Sequence, residues 1–485
     1  MQFRSVTARM QKVPVGLKIK LDENQWFTRY KTLAKDKPYH VLLESGRGGK
    51  FHIIGLDPVA SVQGKGEELQ VDYLDGKKEK RTGNPLLLLQ EIISERSIGK
   101  LPGFPDFTGG AIGYLTYDCV RYIERIPEFA EDDLALPDLY FLLFDDVFVY
   151  DKEEKMLFLI SHSLEGEEES AKERLQQYRE QWTSPNEEAI YPYNPEKLAM
   201  SEREVSFTEA DFMEAVKKVQ SYIAQGDVFQ VNLSVRQAEP LKTHPMEIYT
   251  ALREINPSPY MGYLQFPDFQ LVSGSPELLV KKKGNIVSTR PIAGTRSRGM
   301  TDEEDRKLAQ ELIDNEKERA EHVMLVDLER NDLGRVCKYG TVEVNEFMAI
   351  EKYSHVMHIV SNVQGVLAEN KNISDIIDAT FPGGTITGAP KVRTMQIIEE
   401  LEPVRRSVYT GSIGWIGYDG EMELNISIRT MIAKGGMAYV QAGAGVVIDS
   451  VPNREYKESL KKAAALWKAK ELSEEEQKKR AEVRV

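Results

Sequence analysis

The sequence predicts an α+β protein in which strand-rich segments alternate with amphipathic helices. Short apolar segments at 39–45 and 69–74 have the length and composition of strands, and Asp75-Gly76 after the second is a typical hairpin turn. Helical periodicity is clearest at 207–224, where apolar side chains recur at helical spacing. A chain of 485 residues is too long for one core, so we expect two domains or one large intertwined body.

Charge and composition exclude several classes of protein. The formal net charge of −14 argues against a nucleic-acid-binding protein and provides no basic patch for a membrane surface. No apolar run is long enough to span a membrane. With only Cys119 and Cys337 available, we expect no disulfide framework. The same low cysteine content predicts a reducing, cytoplasmic location. Such an acidic protein must supply cations locally, from side chains or a metal, if it binds an anion.

Changes in composition divide the chain into four segments. Residues 1–165 form a predicted N-terminal α+β domain, with a helix at 85–97 and no cluster of catalytic side chains. Residues 166–204 are a charged helix followed by a proline-containing linker. Residues 205–470 hold the dense motifs and form a predicted second domain. Residues 471–485 are a charged tail, expected as an exposed helix that frays.

Two pairs of acids recur at helical spacing in the second domain. Glu318 and Glu321 lie three residues apart, and so do Glu455 and Glu458, so each pair projects from one side of a helix. Such pairs are commonly solvated surface charges. One carboxylate from each helix would also suit Mg²⁺, which takes one or two protein oxygens together with water and ligand oxygens. Lys462, one turn past Glu458, fits either a surface ion pair or a cationic contact to a ligand.

Two single residues of this domain each allow a structural and a functional interpretation. Glu277 follows Gly274-Ser-Pro and precedes an apolar run, which suits an acid at a helix N-terminus. In a pocket instead, its pKa would rise and it could donate a proton. His358 lies in a predicted strand, where a single histidine is more often structural, and its spacing from His355 does not fit a joint metal site.

Three further segments are suited to holding an anion. A predicted strand at 424–432 carries Arg429 on its polar face, where a rigid sheet would hold the guanidinium as a clamp for a carboxylate. The glycines of Ala442-Gly-Ala-Gly445 let a ligand approach the backbone. The segment 381–391 lacks the lysine and hydroxyl residue of a phosphate loop, but its glycines before a helix can still cradle an anion.

Six motifs occur in a fixed order along the second domain. They are Gly-Ser-Pro-Glu at 274–277, Pro-Ile-Ala-Gly-Thr at 291–295, Glu-x-x-Glu-His at 318–322, His-Val-Met-His at 355–358, Gly-Ala-Pro-Lys at 388–391 and Gln-Ala-Gly-Ala-Gly at 441–445. Together they resemble the chorismate-utilising enzymes, a family that includes component I of anthranilate and aminodeoxychorismate synthases and the isochorismate and salicylate synthases. The resemblance implies a large intertwined body with antiparallel β-sheets packed as a sandwich and flanked by helices.

The resemblance also implies a Mg²⁺-dependent site for chorismate. Glu321 and Glu458 resemble the metal ligands, with Glu318 and Glu455 as supporting acids, and the metal would hold the ring carboxylate. Glu277 resembles the general acid that protonates the departing C4 hydroxyl. His358 is implied beside the ring, and contacts with the rest of the substrate are implied for Gly294, Thr295, Thr385, Tyr409, Arg429, Gly443, Gly445 and Lys462.

The resemblance leaves the product open between two ammonia-using branches. Asn232 and the segment 410–415 resemble the aminodeoxychorismate branch, which leads to 4-aminobenzoate and folate. Ala293 resembles the anthranilate branch, since aminodeoxychorismate enzymes are known with a lysine here that attacks C2 of the ring. We favour the aminodeoxychorismate branch and keep the anthranilate branch, which releases pyruvate, as the alternative. The isochorismate and salicylate synthases fit less well, and the intact set of site residues opposes a non-catalytic ligand-sensing scaffold.

Two partners besides chorismate are implied by the resemblance. Neither cysteine lies in a nucleophile elbow, so ammonia would come from a separate glutamine amidotransferase subunit or from free ammonium. The segments 42–45 and 256–261 match the place where relatives bind tryptophan, as an inhibitor or as a buried structural ligand. The candidates for this site are Ser45, Pro259, Tyr260 and Met261. Alternatively, Ser45 merely ends a strand.

Overall fold

The computed structural model describes residues 12–46, 49–185, 189–194, 203–353 and 356–483. Helices α1 to α11 are Glu23–Ala34, Pro85–Ser94, Glu168–Thr183, Glu209–Ala224, Pro245–Ile255, Asp302–Asp314, Glu316–Gly334, Ile373–Thr380, Lys391–Leu401, Pro452–Lys462 and Ala464–Val483. Side chains that accept a hydrogen bond from the first turn define several of the starts, as Thr208 does for α4 and Asn315 for α7. Of the helices described, none combines the length and the apolar character needed to cross a bilayer.

Strands account for most of the remaining regular structure. Strands β1 to β10 are Lys12–Lys20, His40–Glu44, Phe51–Gly55, Ala60–Lys65, Glu68–Tyr73, Lys78–Thr82, Gly110–Leu115, Leu139–Phe144, Asp146–Asp151 and Met156–Leu164. Strands β11 to β24 are Glu204–Val205, Gln230–Pro240, Tyr260–Gln265, Phe269–Ser275, Leu278–Lys283, Ile286–Arg290, Ile292–Ser297, Glu343–Lys352, Val356–Val366, Gly388–Ala389, Ser412–Gly417, Met422–Asn425, Thr430–Lys434 and Met437–Val446.

These strands form two large antiparallel sheets. The first has the order β1-β10-β9-β3-β2-β13-β14-β23-β24-β12-β11, with β20 beside β12. The second has the order β17-β19-β16-β15-β22-β21-β7-β8-β4-β5-β6, with β18 beside β19. Strand β2 pairs with β13 and β7 pairs with β21, so strands from both sides of the predicted linker lie side by side. The predicted intertwined α+β body is confirmed, while the domain boundaries at 165 and 205 stay a prediction.

Three large apolar cores hold the layers together. One lies between the two sheets, where Val41, Leu264 and Ile432 of the first sheet share a cluster with Ile112 and Leu142 of the second. The other face of the first sheet packs on α1, α3, α5 and α11. The other face of the second sheet packs on α2, α7 and α8. The result is a sandwich of sheets with helices on both outer faces.

The predicted strand at 424–432 is wrong, and the correction affects the site. Strand β22 of the second sheet ends at Asn425, β23 of the first sheet begins at Thr430, and the residues between them cross from one sheet to the other. Arg429 lies in this crossing with a φ of 50°, in the left-handed region that residues with a side chain rarely adopt. The alternation of polar and apolar residues does not distinguish one continuous strand from two strands joined by a bend.

The charged tail was expected to be a freely exposed helix, but one side of it is packed. Helix α11 extends to Val483 and contacts α5, and Lys470, Ser473 and Gln477 are buried. The Lys470 ammonium is paired, because Nζ lies 2.8 Å from Glu474 and 2.9 Å from Glu239. Composition did not predict this packed side, because these buried residues are polar rather than apolar.

Candidate active site

One cavity of about 510 Å³ opens among β12, β17, β24, α7 and α10. It is lined by every residue predicted for catalysis, substrate contact or metal binding: Glu277, Gly294, Thr295, Glu318, Glu321, His358, Thr385, Tyr409, Arg429, Gly443, Gly445, Glu455, Glu458 and Lys462. These residues come from distant parts of the chain. The fold therefore gathers into one chamber the acids, cations and glycine backbone that the motifs supply separately.

Glu277 supplies a proton-donating group to this cavity. It connects β14 to β15, so the alternative of an acid at a helix N-terminus is wrong. The side chain is buried, and its Oε1 has no hydrogen-bond partner among the described residues. Burial raises the pKa of Glu277 to about 7, although Thr385 and the Ile292 amide favour the charged form. A large fraction of the carboxyl is therefore protonated at neutral pH, as a general acid requires.

Arg429 brings a positive charge to the same cavity. Burial lowers the pKa of Arg429, while Glu277 and Tyr353 oppose this change, and a guanidinium remains charged at neutral pH. No carboxylate of the described part of the chain forms an ion pair with it. A buried charge without a counterion is costly, so an anionic ligand is favoured here. Tyr409 lines the cavity as well, and burial raises the pKa of Tyr409, so its hydroxyl remains a hydrogen-bond donor.

His358 lies on β19 beside β17. Its Nδ1 is 3.0 Å from the carbonyl oxygen of Gly294 and 3.1 Å from Oγ1 of Thr295. Burial lowers the pKa of His358, so the imidazole is neutral at pH 7, with Nδ1–H donating to Gly294 and Nε2 left as an acceptor. The ring of Tyr353 packs edge-on at 5.3 Å and steadies the imidazole. His355 lies outside the described residues, so the prediction about a joint site is not tested.

The two predicted acid pairs face this cavity from two helices. Glu318 and Glu321 lie on α7, and Glu455 and Glu458 lie on α10. Burial raises the pKa of Glu321, and the neighbouring Glu318 raises it further. Burial also raises the pKa of Glu455, with a further rise from Glu458. Glu321 and Glu455 are therefore partly desolvated beside a second carboxylate, whereas the side chain of Glu458 is 52% exposed.

Two cations partly balance the acids. Lys462 Nζ lies 2.9 Å from Glu458 Oε1 and donates a hydrogen bond to the Gly443 carbonyl at 3.0 Å. Arg296 Nη1 lies 3.2 Å from Glu318 Oε1. Lys462 thus connects the acidic wall to the glycine-containing strand β24.

The donor chemistry of the acidic wall fits Mg²⁺. Within the described ranges, no three acid, histidine or cysteine side chains converge closely enough to hold a metal by themselves. Mg²⁺ does not require this, because it takes one or two carboxylates and fills its other positions with water and ligand oxygens. Burial, with a smaller contribution from the neighbouring carboxylate, raises the pKa values of Glu321 and Glu455, and a bound cation would stabilise the charged form of both.

Several polar residues of the cavity were not predicted to belong to it: Gln230, Lys317, Gln441 and Ser450. Asn232 and Ala293, noted only as markers of the product, line it as well. Some of them could have been predicted, because residues two apart on a strand share one face of the sheet. Residues 230 and 232 share one face of β12, and 441 shares a face of β24 with the predicted 443 and 445.

The four tryptophan-site candidates meet at a different place. Ser45, Pro259, Tyr260 and Met261 line a small cavity of about 40 Å³ beside Trp415. That volume holds about one water molecule. A ligand the size of tryptophan therefore needs room in the adjoining cavity of about 420 Å³, which Ser45, Pro259 and Tyr260 also line. The occupancy of this site stays a prediction.

Comparison with known proteins agrees with the geometry of the large cavity. Residues 39–468 match the family model described as chorismate binding enzyme. The chain is 56% identical over 478 residues to aminodeoxychorismate synthase component 1 of Bacillus subtilis (strain 168), which covers 96% of this chain and 99% of that protein. It is 45% identical over 452 residues to anthranilate synthase component 1 of Thermus thermophilus, which covers 92% of this chain and 95% of that protein.

Solved structures share the fold. Anthranilate synthase component I from Streptococcus pneumoniae TIGR4 superposes with a TM-score of 0.75 at 36% identity, covering 86% of this chain and 92% of that one. The menaquinone-specific isochorismate synthase MenF of Escherichia coli gives a TM-score of 0.70, covering 95% of each chain, and at 18% identity this likeness concerns the fold alone. The predicted fold class and the predicted resemblance are confirmed. This chain belongs to the family of chorismate binding enzymes.

Proposed function

We propose that this chain is an aminodeoxychorismate synthase component 1, which converts chorismate and ammonia to 4-amino-4-deoxychorismate. The observation that carries this proposal is the buried Glu277 carboxyl, whose pKa is about 7, in the same cavity as the guanidinium of Arg429, which has no ion pair within the described ranges. A proton donor beside an anion-binding group is what the removal of a hydroxyl from a dicarboxylate requires. The choice of product rests on the 56% identity, over nearly the full length, to a protein with this name.

Glu277 acts on the leaving group. Hydroxide leaves poorly at neutral pH, so cleavage of the C4–O bond of chorismate needs a proton. The neutral Glu277 carboxyl donates that proton, and water departs with the bonding electrons. Ammonia forms the new C–N bond and then loses one proton, which restores the protonated carboxyl. Chorismate and ammonia thus give the amino product and water.

Other residues of the cavity hold the substrate in place. Arg429 and the Tyr409 hydroxyl bind the enolpyruvyl carboxylate, and Gly445 lets that group approach β24 closely. His358 and Thr385 border the ring. Arg429 ends the crossing between β22 and β23, and Tyr409 lies just before β21, so each of the two groups is positioned by backbone that adjoins a strand.

Mg²⁺ is the proposed cofactor. Glu321 and Glu458 would hold it, supported by Glu318 and Glu455. When bound, the metal neutralises the ring carboxylate of chorismate in a chain whose net charge is −14. Lys462 keeps Glu458 oriented toward the cavity through their contact at 2.9 Å.

Ammonia is proposed to come from a separate glutamine-hydrolysing subunit or from free ammonium. Burial raises the pKa of Cys119 well above its ordinary value and that of Cys337 to about 11. A thiol that stays protonated is a poor nucleophile, so neither cysteine is suited to hydrolyse glutamine. The names of the relatives, which call them component 1, are in keeping with a second component.

Anthranilate synthesis is the second candidate, and Ala293 favours it. Ala293 lines the cavity on β17 and has no amine with which to attack C2 of the ring. Ammonia itself must then be the nucleophile, at C4 in the proposed reaction or at C2 in the anthranilate reaction, where pyruvate leaves afterwards.

Product identification tests the proposal. The purified chain is mixed with chorismate, Mg²⁺ and ammonium chloride at alkaline pH. We expect a product that keeps its enolpyruvyl group and yields 4-aminobenzoate only after a lyase is added. Anthranilate would assign the other branch, isochorismate formed without ammonium would indicate hydration, and no turnover would favour the scaffold.

Tryptophan is the proposed ligand of the Ser45 site. Glu44 also lines the small cavity, and it is fixed by hydrogen bonds that it accepts from Tyr249 and Arg253 at 2.5 Å each. Calorimetric titration with tryptophan tests this proposal, and the absence of a saturable signal would reject it.

A further inference from the structure

Two buried amide side chains that line the active-site cavity have oxygen atoms without a hydrogen-bond donor in the described part of the chain. Asn232 is 8% exposed and Gln441 is 6% exposed, and both line the cavity. Asn232 Oδ1 and Gln441 Oε1 are buried without a hydrogen-bond partner among the described residues. A buried acceptor in this state costs free energy unless a ligand or water supplies a hydrogen.

The orientation of the Gln441 amide is fixed by the network beneath it. Glu402 accepts hydrogen bonds from the Ser234 N–H at 2.8 Å and from its hydroxyl at 2.9 Å. Arg406 Nη2 donates to the same oxygen at 2.7 Å. Ser234 Oγ has therefore given its hydrogen to Glu402 and can only accept from Gln441, whose Nε2 lies 2.8 Å away. Turning the amide round would set two acceptors against each other, so Oε1 must point away from Ser234.

Strands β12 and β24 place these groups around one small corner. Ser234 lies opposite Gly443 in the strand register, and Asn232 lies opposite Gly445. A Cβ atom at position 443 would lie 2.5 Å from Asn232 Oδ1 and 2.9 Å from the Tyr409 hydroxyl oxygen. Any side chain at position 443 would clash with both groups, so only glycine fits between them.

The chemistry of the corner selects a small molecule that donates hydrogen bonds. Carbonyl oxygens repel the carboxylates of chorismate, whereas they accept N–H hydrogens readily. We infer that Asn232 and Gln441, with Gly443 between them, form the site that receives ammonia beside the substrate. This inference rests on the proposed function. Ammonia bound there would donate its N–H hydrogens to these carbonyl oxygens.

Steady-state kinetics with the full chain test the inference. Ammonium chloride serves as the nitrogen source with Mg²⁺ and chorismate at one fixed pH. We expect Gln441→Met to raise the KM for ammonium about 2- to 12-fold, the effect of losing one net hydrogen bond. The KM for chorismate should remain within about twofold. Ser234→Ala frees the Gln441 amide to turn and should raise the KM for ammonium in the same direction by a smaller factor.

Gln237→Met is the matched control. Gln237 is 4% exposed on the same strand as Asn232, its Nε2 lacks a partner among the described residues, and it does not line the cavity. The control should leave both KM values unchanged. An unchanged KM for ammonium in folded Gln441→Met, or equal rises in both KM values, would overturn the inference. If Gln441→Met does not fold, the KM for ammonium of Ser234→Ala provides the test, and an unchanged value there would overturn the inference. If the wild type does not consume chorismate with ammonium, the proposed function itself fails.

Discussion

Burial shifts the pKa values of Glu277 and Arg429 in opposite directions. Their charge states at neutral pH differ because their ordinary pKa values differ. Loss of hydration disfavours the charged form of both groups. The pKa of Glu277 rises to about 7, so its proton is exchangeable at physiological pH. The pKa of Arg429 falls but stays far above 7, so its charge is permanent. One environment thus provides both a mobile proton for chemistry and a fixed charge for binding.

Glu277→Gln should lower kcat about 10²- to 10⁴-fold, the usual contribution of a general acid. At a fixed concentration of unprotonated ammonia, the wild-type rate should fall as pH rises above about 7, because the protonated fraction of Glu277 decreases. The variant should lose this decline. The control is Glu254→Gln at an exposed position of α5. A full rate in Glu277→Gln would remove it from the catalytic residues.

Glu321→Gln and Glu458→Gln should each abolish Mg²⁺-dependent turnover or shift it to much higher Mg²⁺, because a neutral amide is a poor ligand for a hard cation. The measurement is the rate as a function of Mg²⁺ concentration. Glu316→Gln, at an exposed position of the same helix as Glu321, should leave that curve unchanged. A wild-type Mg²⁺ dependence in either variant would exclude that residue as a ligand.

The residues of the site that belong to local motifs could be predicted from the sequence. Glu277, Gly294 and Glu321 each occur in a motif whose order along the chain identifies the family. The role of Gln441 could not be predicted, because it depends on a hydrogen bond to Ser234 on another strand and on the carboxylate of Glu402 below it. Such contacts follow from strand register, which a single sequence does not determine.

Two elements differ from their predicted form for related reasons. The crossing between β22 and β23 was predicted as one strand, because its residues alternate although the chain changes sheets. The tail at 471–485 was predicted to be an exposed helix, because Ser473 and Gln477 are polar although they are buried on α11. Composition reports the polarity of a side chain but not the partner that satisfies it, such as Glu239 for Lys470.

Removal of residues 471–485 should lower the free energy of unfolding by about 1 to 3 kcal/mol, because it uncovers the side of α5 on which α11 packs. Urea unfolding at constant protein concentration measures this change. Alanine at the exposed positions Glu475 and Lys478 should leave the transition unmoved. A truncated chain as stable as the full chain would restore the interpretation of a freely exposed tail.

At the scale of the whole molecule, neither half of the chain contains a complete sheet. Strand β2 needs β13 as a neighbour, and β7 needs β21. The residues that line the active site all fall between 230 and 462, but they come from strands of both sheets and from helices α7 and α10, so the site rests on sheets that the first half of the chain completes. Stability and catalysis therefore depend on the entire chain.

Residues 1–194 expressed alone should lack a cooperative unfolding transition, because β2 and β7 would present unpaired edges. Residues 203–485 alone should behave in the same way. Mixing the two fragments during refolding should restore both the transition and chorismate turnover. The measurements are circular dichroism during urea titration and the product assay. A fragment that unfolds cooperatively by itself would show that the sheets are separable.

The pairing of β2 with β13 also has a consequence for biosynthesis. When His40–Glu44 leaves the ribosome, its neighbour Tyr260–Gln265 has not yet been translated. At about 5 to 20 residues per second, this delay lasts on the order of 10 to 40 s. During this interval the edge of β2 lacks its partner strand and can pair with other chains. The yield of folded protein in a cell should therefore depend on how well chaperones shield the growing polypeptide.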